Sequence, residues 1–289
     1  MLYHLVSLQY RLEVFNLVVR SAITTLNGEQ VVSRSGIYTF IHTYQHFRNG
    51  RRVVLCGMLH LGRKDYYSVV KDTLNSCSFV LYEPICLGKR VTSFTSQQLD
   101  WEGVLDINEF IALEILAYYA RLTELFSPKS NPDFSLEARE FDAFYKRGNW
   151  IHADLLPDIH CESETDISFS DALHKRIARL SKSEKLEVLN FLSPRLLEMD
   201  DGTFSIQDFA SDIVTIDTND VFFKLLMSST MQKKRDRRCF EVFDSVVAQY
   251  DPDSIGIKFG VAHMPYQRAL LQSRGYRLVK SDKICCIHF

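Results

Sequence analysis

The alternation of apolar and polar positions along the chain predicts an α/β protein. Two β-type runs at 36–42 and 51–57 flank Arg48-Asn49-Gly50, and an Asn-Gly pair between such runs indicates a hairpin. Apolar residues spaced three and four apart then predict a helix over 66–75, and the apolar run 78–84 predicts a strand. This order is a strand-helix-strand unit, which favours two parallel strands joined by a right-handed crossover.

The last part of the chain repeats this order. Residues 254–260 predict a strand, 264–273 a helix, 276–279 a strand and 284–288 a last strand. The long stretch between the two halves predicts helices over 105–121, 135–147, 169–180, 183–199, 206–216 and 221–249. Ser135 before Glu137 supports the start of the second of these helices. A short extended piece is expected at 150–155. We therefore expect a single domain over 1–289, with a mixed central sheet built from two strand-helix-strand halves and a large helical insert at 103–248.

The first 23 residues carry apolar positions at roughly helical spacing, which predicts an amphipathic helix. Arg11, Glu13 and Arg20 interrupt the segment, and it has neither a basic start nor a small-residue cleavage site, so we expect no signal peptide and no membrane span. The segment lacks the Lys/Arg cluster that membrane-surface helices carry on their polar face. We expect it to pack on the protein's own core or on a second copy, as in a homodimer.

Composition narrows the class of protein. The chain has 289 residues, of which 46% are hydrophobic and 24% charged, as in a folded globular protein with a large core. The net charge is -2, without the basic excess of a nucleic-acid-binding protein, and the short basic run at 233–238 predicts a solvated helix face. Seven cysteines without a C-x-x-C pair predict no disulfide framework, which favours a cytoplasmic location.

Two copies of Gly-x-x-His stand where a predicted strand ends and a helix is about to begin. They are Gly57-Met-Leu-His60 and Gly260-Val-Ala-His263. In open α/β sheets, ligands bind outside the carboxyl ends of the strands, and a glycine there lets the backbone approach a ligand closely. We therefore expect His60 and His263 to face one crevice. Glu83 ends the predicted strand 79–83, and its carboxylate joins them if that strand neighbours the one before His60.

Two imidazoles and one carboxylate suit a divalent first-row metal that keeps open positions for water and substrate. Such a metal lowers the pKa of its bound water towards about 7 and polarises a carbonyl, which favours hydrolysis. The residues alone leave an alternative open. Each histidine is then a hydrogen-bonded structural residue, and Glu83 before Pro84 only caps a turn.

The joint order of these motifs resembles the TraB/Tiki superfamily, which includes the Tiki metalloproteases, the pheromone-shutdown and GumN-like proteins and, more distantly, the erythromycin esterases and ChaN-like proteins. The resemblance covers the chain from about residue 36 to its end: two Gly-x-x-His motifs, an acidic residue closing the strand after the first, and a long helical insert. It implies a Tiki/ChaN-like fold and a metal-dependent hydrolase that cleaves a peptide or another amide or ester bond. The implied ligands are His60, Glu83 and His263, with Mn²⁺ or Co²⁺ expected ahead of Zn²⁺ or Fe²⁺.

Two looser matches to the same superfamily place further residues at the site. In "KRDRR", Arg235 matches the Arg of an Arg-Asn pair and Asp236 stands where Asn is usual. A fixed guanidinium at that point would steady negative charge. The segment "WIHADL" resembles a His/Asn-Ala-Asp segment that would bring His152 and Asp154 to the site, with Asp154 as a ligand or an orienting group. The alternatives are that Arg235 is a helix-surface cation and that Asp154 is an N-cap.

Other catalytic signatures are missing from the sequence. It has no G-x-S-x-G elbow, H-E-x-x-H helix, phosphate-binding P-loop or G-x-G-x-x-G fingerprint. We expect a peptide or small-molecule substrate, and some relatives use a histidine as general base without a tightly bound metal. Two non-hydrolytic alternatives stay open: a noncatalytic binding or regulatory protein, which Asp236 in place of Asn favours, and carriage of haem or a small ligand as in ChaN-like proteins.

Overall fold

The computed structural model describes most of the chain between Thr24 and Phe289. The described residues are 24–26, 30–33, 35–84, 106–125, 130–155, 169–219, 221–222, 225 and 229–289. The predicted N-terminal helix lies outside them, as do two of the seven cysteines, Cys86 and Cys161. Within the described ranges, none of the helices is both long and apolar enough to cross a membrane.

One mixed sheet lies at the centre of the fold. The described strands are β1 (Thr24–Leu26), β2 (Gln30–Ser33), β3 (Gly36–His46), β4 (Arg52–Met58), β5 (Leu61–Arg63), β6 (Phe79–Tyr82), β7 (Phe134–Leu136), β8 (Trp150–His152), β9 (Ser254–Gly260) and β10 (Tyr276–His288). Eight of them form this sheet, in the order β1-β2-β3-β4-β9-β6-β8 with β10 paired to β3, while β5 and β7 form a separate antiparallel pair. Strands β4, β9, β6 and β8 are parallel neighbours, and β1, β2, β3 and β10 pair antiparallel. The prediction of an α/β fold with a mixed central sheet is confirmed.

Eight described helices pack around this sheet. They are α1 (Lys64–Asn75), α2 (Ile107–Leu125), α3 (Glu137–Tyr145), α4 (Phe169–Ile177), α5 (Lys182–Asp200), α6 (Ile206–Thr218), α7 (Ser229–Tyr250) and α8 (Met264–Ser273). The predicted strand 254–260 and helix 264–273 have the expected bounds. Two predictions were wrong. The segment from residue 135 begins as strand β7 because it pairs with β5, and the two predicted C-terminal strands form one continuous β10 along β3.

The hairpin expected around Asn49-Gly50 joins β3 to β4, and its last strand pair is Gln45 with Arg52. Gly50 has a φ of 73°, in the left-handed region that glycine adopts without a steric penalty. Both faces of β9 are covered by helices, which explains its unbroken burial. A methyl group on Gly256 would lie 2.7 Å from Leu74 Cδ2 of α1, so glycine allows this close approach of helix to sheet.

The region between the two halves contains a strand of the central sheet and a buried polar cluster as well as helices. The predicted extended piece at 150–155 contains β8, which runs parallel to β6 and extends the central sheet. A buried polar cluster connects α2, α5 and α6. In this cluster, Tyr118 Oη donates to Asp212 Oδ2 at 2.8 Å and Arg195 Nε donates to Asp212 Oδ1 at 2.6 Å.

Candidate functional site

The site lies where three parallel strands end side by side. His60 follows β4 by two residues, Glu83 comes directly after β6, and His263 closes a short 3₁₀ turn after β9. Strand β9 is hydrogen-bonded to both β4 and β6, so the carboxyl ends of all three strands share one edge of the sheet. The three segments are therefore brought together from distant parts of the sequence.

Glu83 lies between the two histidines. Glu83 Oε1 lies 3.8 Å from His263 Nε2, and Glu83 Oε2 accepts the Gly260 N–H at 2.6 Å. A methyl group on Gly260 would lie 3.4 Å from Glu83 Oε2 and 3.5 Å from His60 Nε2, so the His60 ring borders the same glycine. The side chain of His60 is 54% exposed and that of His263 only 3%. The cluster therefore has one accessible and one buried imidazole.

Positive charge surrounds the Glu83 carboxylate. Arg235 Nη2 donates to Glu83 Oε1. Burial alone would raise the pKa of Glu83, but the charges of His263, Arg235 and His60 outweigh burial and lower that pKa to about 2. Glu83 is therefore a permanently ionised group at neutral pH.

Arg235 is held by a second carboxylate. Its Nε donates to Asp154 Oδ1 at 2.9 Å and its Nη2 to Asp154 Oδ2 at 2.7 Å, a bidentate ion pair with a fully buried Asp154 side chain. Arg235 is thus not an isolated surface cation, because two carboxylates engage its Nε and Nη2. The other basic residues of the run are exposed, as expected of a solvated helix face: Lys233, Lys234, Arg237 and Arg238. His152, on β8, packs its ring 5.9 Å from the Tyr82 ring.

Asp236 holds His263 from the side opposite Glu83. Asp236 Oδ1 accepts from His263 Nδ1 at 2.8 Å and from Gln267 Nε2 at 2.8 Å, and the Asp236 side chain is fully buried. A carboxylate only accepts hydrogen bonds, so this geometry assigns a proton to Nδ1 of His263. Nε2 is then the ring nitrogen that faces Glu83.

Glu137 holds His60 in the same way. Its Oε2 accepts from His60 Nδ1 at 2.9 Å, and the Glu137 side chain is 1% exposed. Its other oxygen, Oε1, forms an ion pair with the ammonium of Lys258, which is also fully buried. Desolvation disfavours the protonated His60 ring, but the hydrogen bond and charge of Glu137 favour it more, and the pKa of His60 is raised above its ordinary value.

Sequence reasoning missed the roles of two residues in this cluster, Glu137 and Lys258. Glu137 entered only as support for a helix start, and no local signal connects it with His60. Lys258 left a weak signal, because it is a lone charge inside the buried run Ser254–Gly260, and a buried lysine needs a partner. Asp236 was noted only as a replacement for Asn.

The described donors do not fit the predicted three-ligand metal site in this arrangement. Both oxygens of Glu83 are engaged, by Arg235 and by the Gly260 N–H, and both Nδ1 atoms are engaged by carboxylates. No group of three His, Cys, Asp or Glu side chains in the described part of the chain could hold a metal ion. The Nε2 atoms of His60 and His263 are the donors left, and the divalent-metal site remains a prediction.

Comparisons of the chain with protein-family models, with curated proteins and with solved structures found no match. The resemblance to the TraB/Tiki superfamily therefore remains a prediction from the order of the motifs. The five predicted site residues form one connected cluster at the strand ends: His60, Glu83, Asp154, Arg235 and His263.

Proposed function

We propose that this protein is a hydrolase of amide or ester bonds in which His60 and His263 carry out acid–base chemistry. The observation that carries the proposal is a repeated one. Each histidine has its Nδ1 held by a buried carboxylate, while its Nε2 lies beside Glu83 or Gly260 at the shared strand edge. Carboxylate-held imidazoles are the usual general acids and bases of hydrolases. The motif order that resembles the TraB/Tiki superfamily, and that implies a Tiki/ChaN-like fold, supports the same reaction class.

His263 is the residue that we assign as general base. Its ring is almost fully buried, so we assign it to a water molecule rather than to direct contact with a substrate. As the water oxygen bonds to the carbonyl carbon of the substrate, one water proton passes to Nε2 of His263. Asp236 stabilises the imidazolium that forms, as the carboxylate of a catalytic triad does.

His60 is the residue that we assign as general acid. Its ring is exposed enough to contact a substrate, and its raised pKa favours the protonated form that an acid needs. His60 gives the Nε2 proton to the leaving nitrogen or oxygen as the scissile bond breaks. The products are a carboxylic acid and an amine or alcohol, and one water is consumed. Proton exchange with solvent then restores the starting protonation state of both imidazole rings.

Arg235 has a supporting role in this scheme. Because Glu83 and Asp154 both hold its guanidinium, Arg235 neutralises two buried acids. Glu83 then offers a fixed negative charge beside the two imidazoles.

The test is hydrolysis in ¹⁸O-labelled water with a panel of p-nitrophenyl esters and a mixed peptide library, read by mass spectrometry. We expect ¹⁸O in a product acid with the wild-type chain and a loss of about 10²-fold or more with His263→Gln. A His263→Gln variant that is as active as the wild type contradicts the proposal. So does a wild-type chain that hydrolyses none of the panel, which favours the noncatalytic alternative.

A parallel arm separates the two forms of the mechanism. Activity that survives exhaustive chelation supports direct catalysis by the two histidines. Activity that appears only when Mn²⁺ or Co²⁺ is added supports the metal-dependent hydrolase that the sequence predicts.

A further inference from the structure

We infer that Lys258, which is remote from solvent, holds the Glu137 carboxylate and thereby positions the His60 ring for proton transfer. The kinetic part of this inference rests on the proposed function. The structural part, that Lys258 fixes the orientation and tautomer of the His60 ring, is independent of any activity.

The burial of Lys258 needs an explanation. Its side chain has no exposed surface and sits in the middle of β9, and an ammonium removed from water is strongly destabilising unless it is well paired. Lys258 Nζ pairs with Glu137 Oε1 and donates to the Glu83 main-chain oxygen at 3.3 Å. It also lies 5.0 Å and 5.1 Å from the ring centroids of Phe141 and Tyr145. One lysine thus connects β9 to α3 and to the end of β6.

Glu137 transmits this anchoring to His60. Lys258 holds one carboxylate oxygen and His60 Nδ1 donates to the other, so the carboxylate plane is fixed from two sides. The main-chain N–H of Glu137 also donates to the His60 carbonyl at 3.0 Å. The His60 side chain is half exposed and would otherwise be free to rotate. Held in this way, it keeps its proton on Nδ1 and its Nε2 beside Gly260.

A purely structural role for the pair makes a different prediction. Replacement of a buried ion pair by apolar side chains of similar volume is often neutral or stabilising, whereas removal of one partner is costly. The double variant Lys258→Met with Glu137→Leu therefore keeps the fold but removes the support for His60. If Lys258 serves the fold alone, a folded Lys258→Met variant keeps the wild-type hydrogen bond between His60 Nδ1 and Glu137, whereas the double variant loses it with the Glu137 carboxylate.

The experiment compares the wild type with Lys258→Met, with the double variant and with Lys71→Met. The last is a matched control, because Lys71 pairs with Glu140 at 2.7 Å across α1 and α3 without contacting His60. The first measurement is the downfield ¹H resonance of the His60 Nδ1–H, assigned by its absence in His60→Gln. The second is kcat and KM on any substrate that the wild type hydrolyses.

We expect the His60 resonance to be lost or strongly shifted in Lys258→Met and in the double variant, and unchanged in Lys71→Met. We expect kcat to fall about 10-fold to 100-fold, with KM nearly constant, as for other supporting residues of a site. A folded Lys258→Met variant with the wild-type resonance overturns the inference, and a folded double variant that retains the resonance does so as well. Loss of the resonance supports the positioning role even if no substrate is hydrolysed, so the two proposals fail separately.

Discussion

His263 and Asp236 are joined through Nδ1 and Oδ1 at 2.8 Å, with both side chains almost completely buried. The other Gly-x-x-His motif has the same feature, with His60 held by Glu137 at 2.9 Å. The two carboxylates come from different helices, α7 and α3. Each half of the fold therefore supplies one imidazole, and the insert supplies the carboxylate that orients it.

This arrangement predicts a difference between two substitutions of Asp236. In Asp236→Asn, the Gln267 amide hydrogen selects the new carbonyl oxygen, which still accepts from His263 Nδ1. The ring keeps its orientation but loses the charge that stabilises its imidazolium, so we expect a loss of only about tenfold. In Asp236→Ala, the ring loses its support and we expect a loss of about 10²-fold or more. The measurement is kcat/KM, with circular dichroism as the control for folding. Equal losses in the two variants would count against the orienting role.

The position of Gly260 predicts that a Gly260→Ala variant loses activity but keeps its fold. A methyl group at this position lies at ordinary contact distance from Glu83 Oε2 and His60 Nε2, and the backbone φ of -53° suits alanine. We expect Gly260→Ala to unfold within a few degrees of wild type but to hydrolyse at least about tenfold more slowly, because the methyl group displaces the attacking water. Gly148→Ala, which meets nothing within 4 Å, is the matched control. Full activity in Gly260→Ala would place the reaction elsewhere.

Glu83 predicts a pH dependence of stability. Its folded pKa of about 2 lies below the ordinary value of 4.5, so its ionised form stabilises the fold above pH 4.5 and this contribution is lost as pH falls towards 2. We expect the stability advantage of wild type over Glu83→Gln to shrink by about 2 kcal/mol between pH 6 and pH 3. Urea unfolding at the two pH values measures it. Exposed Glu241→Gln should show no comparable change, and a constant difference for Glu83→Gln would refute the assignment.

The raised pKa of Asp212 predicts the opposite pH dependence of stability. Burial, only partly offset by Arg195 and Tyr118, raises its pKa from 3.8 to about 6. A raised folded pKa gives stability that is complete below pH 3.8 and is lost as pH rises through 6. We expect the free energy of unfolding of wild type, relative to Asp212→Asn, to fall by about 2 kcal/mol between pH 4 and pH 7. Asp200→Asn, at a half-exposed ion pair, is the control, and an unchanged difference would contradict this account.

Local patterns were sufficient for much of the fold. The Asn49-Gly50 hairpin and the unit from residue 254 to 273 have the predicted positions, because their signals are turn chemistry and short apolar periodicity. Strand β7 was predicted as part of a helix because its pairing with β5 is a tertiary contact that no local pattern contains. The single long β10 has the same cause, since β3 supplies a continuous partner across the polar residues 280–283.

For the site, the sequence located the residues at the strand ends but not the ones that hold them. His60, Glu83 and His263 follow apolar strands, and parallel strands bring such positions to one edge. Glu137 and Lys258 meet His60 and each other only after β9 and α3 pack together. Their residue types are ordinary at the sequence level. Only the burial of a charge inside β9 could have indicated that Lys258 has a special partner.

The central claim is that His60 and His263 act on one substrate at one site, and a double-mutant cycle tests it most directly. The measurement is kcat/KM for wild type, His60→Gln, His263→Gln and the double variant on the same substrate. Groups that act as a unit show strongly non-additive losses, so we expect each single variant to lose about 10²-fold or more and the double variant to lose little beyond that. The account would be contradicted if the losses of the two single variants multiplied in the double variant, or if the double variant kept full activity.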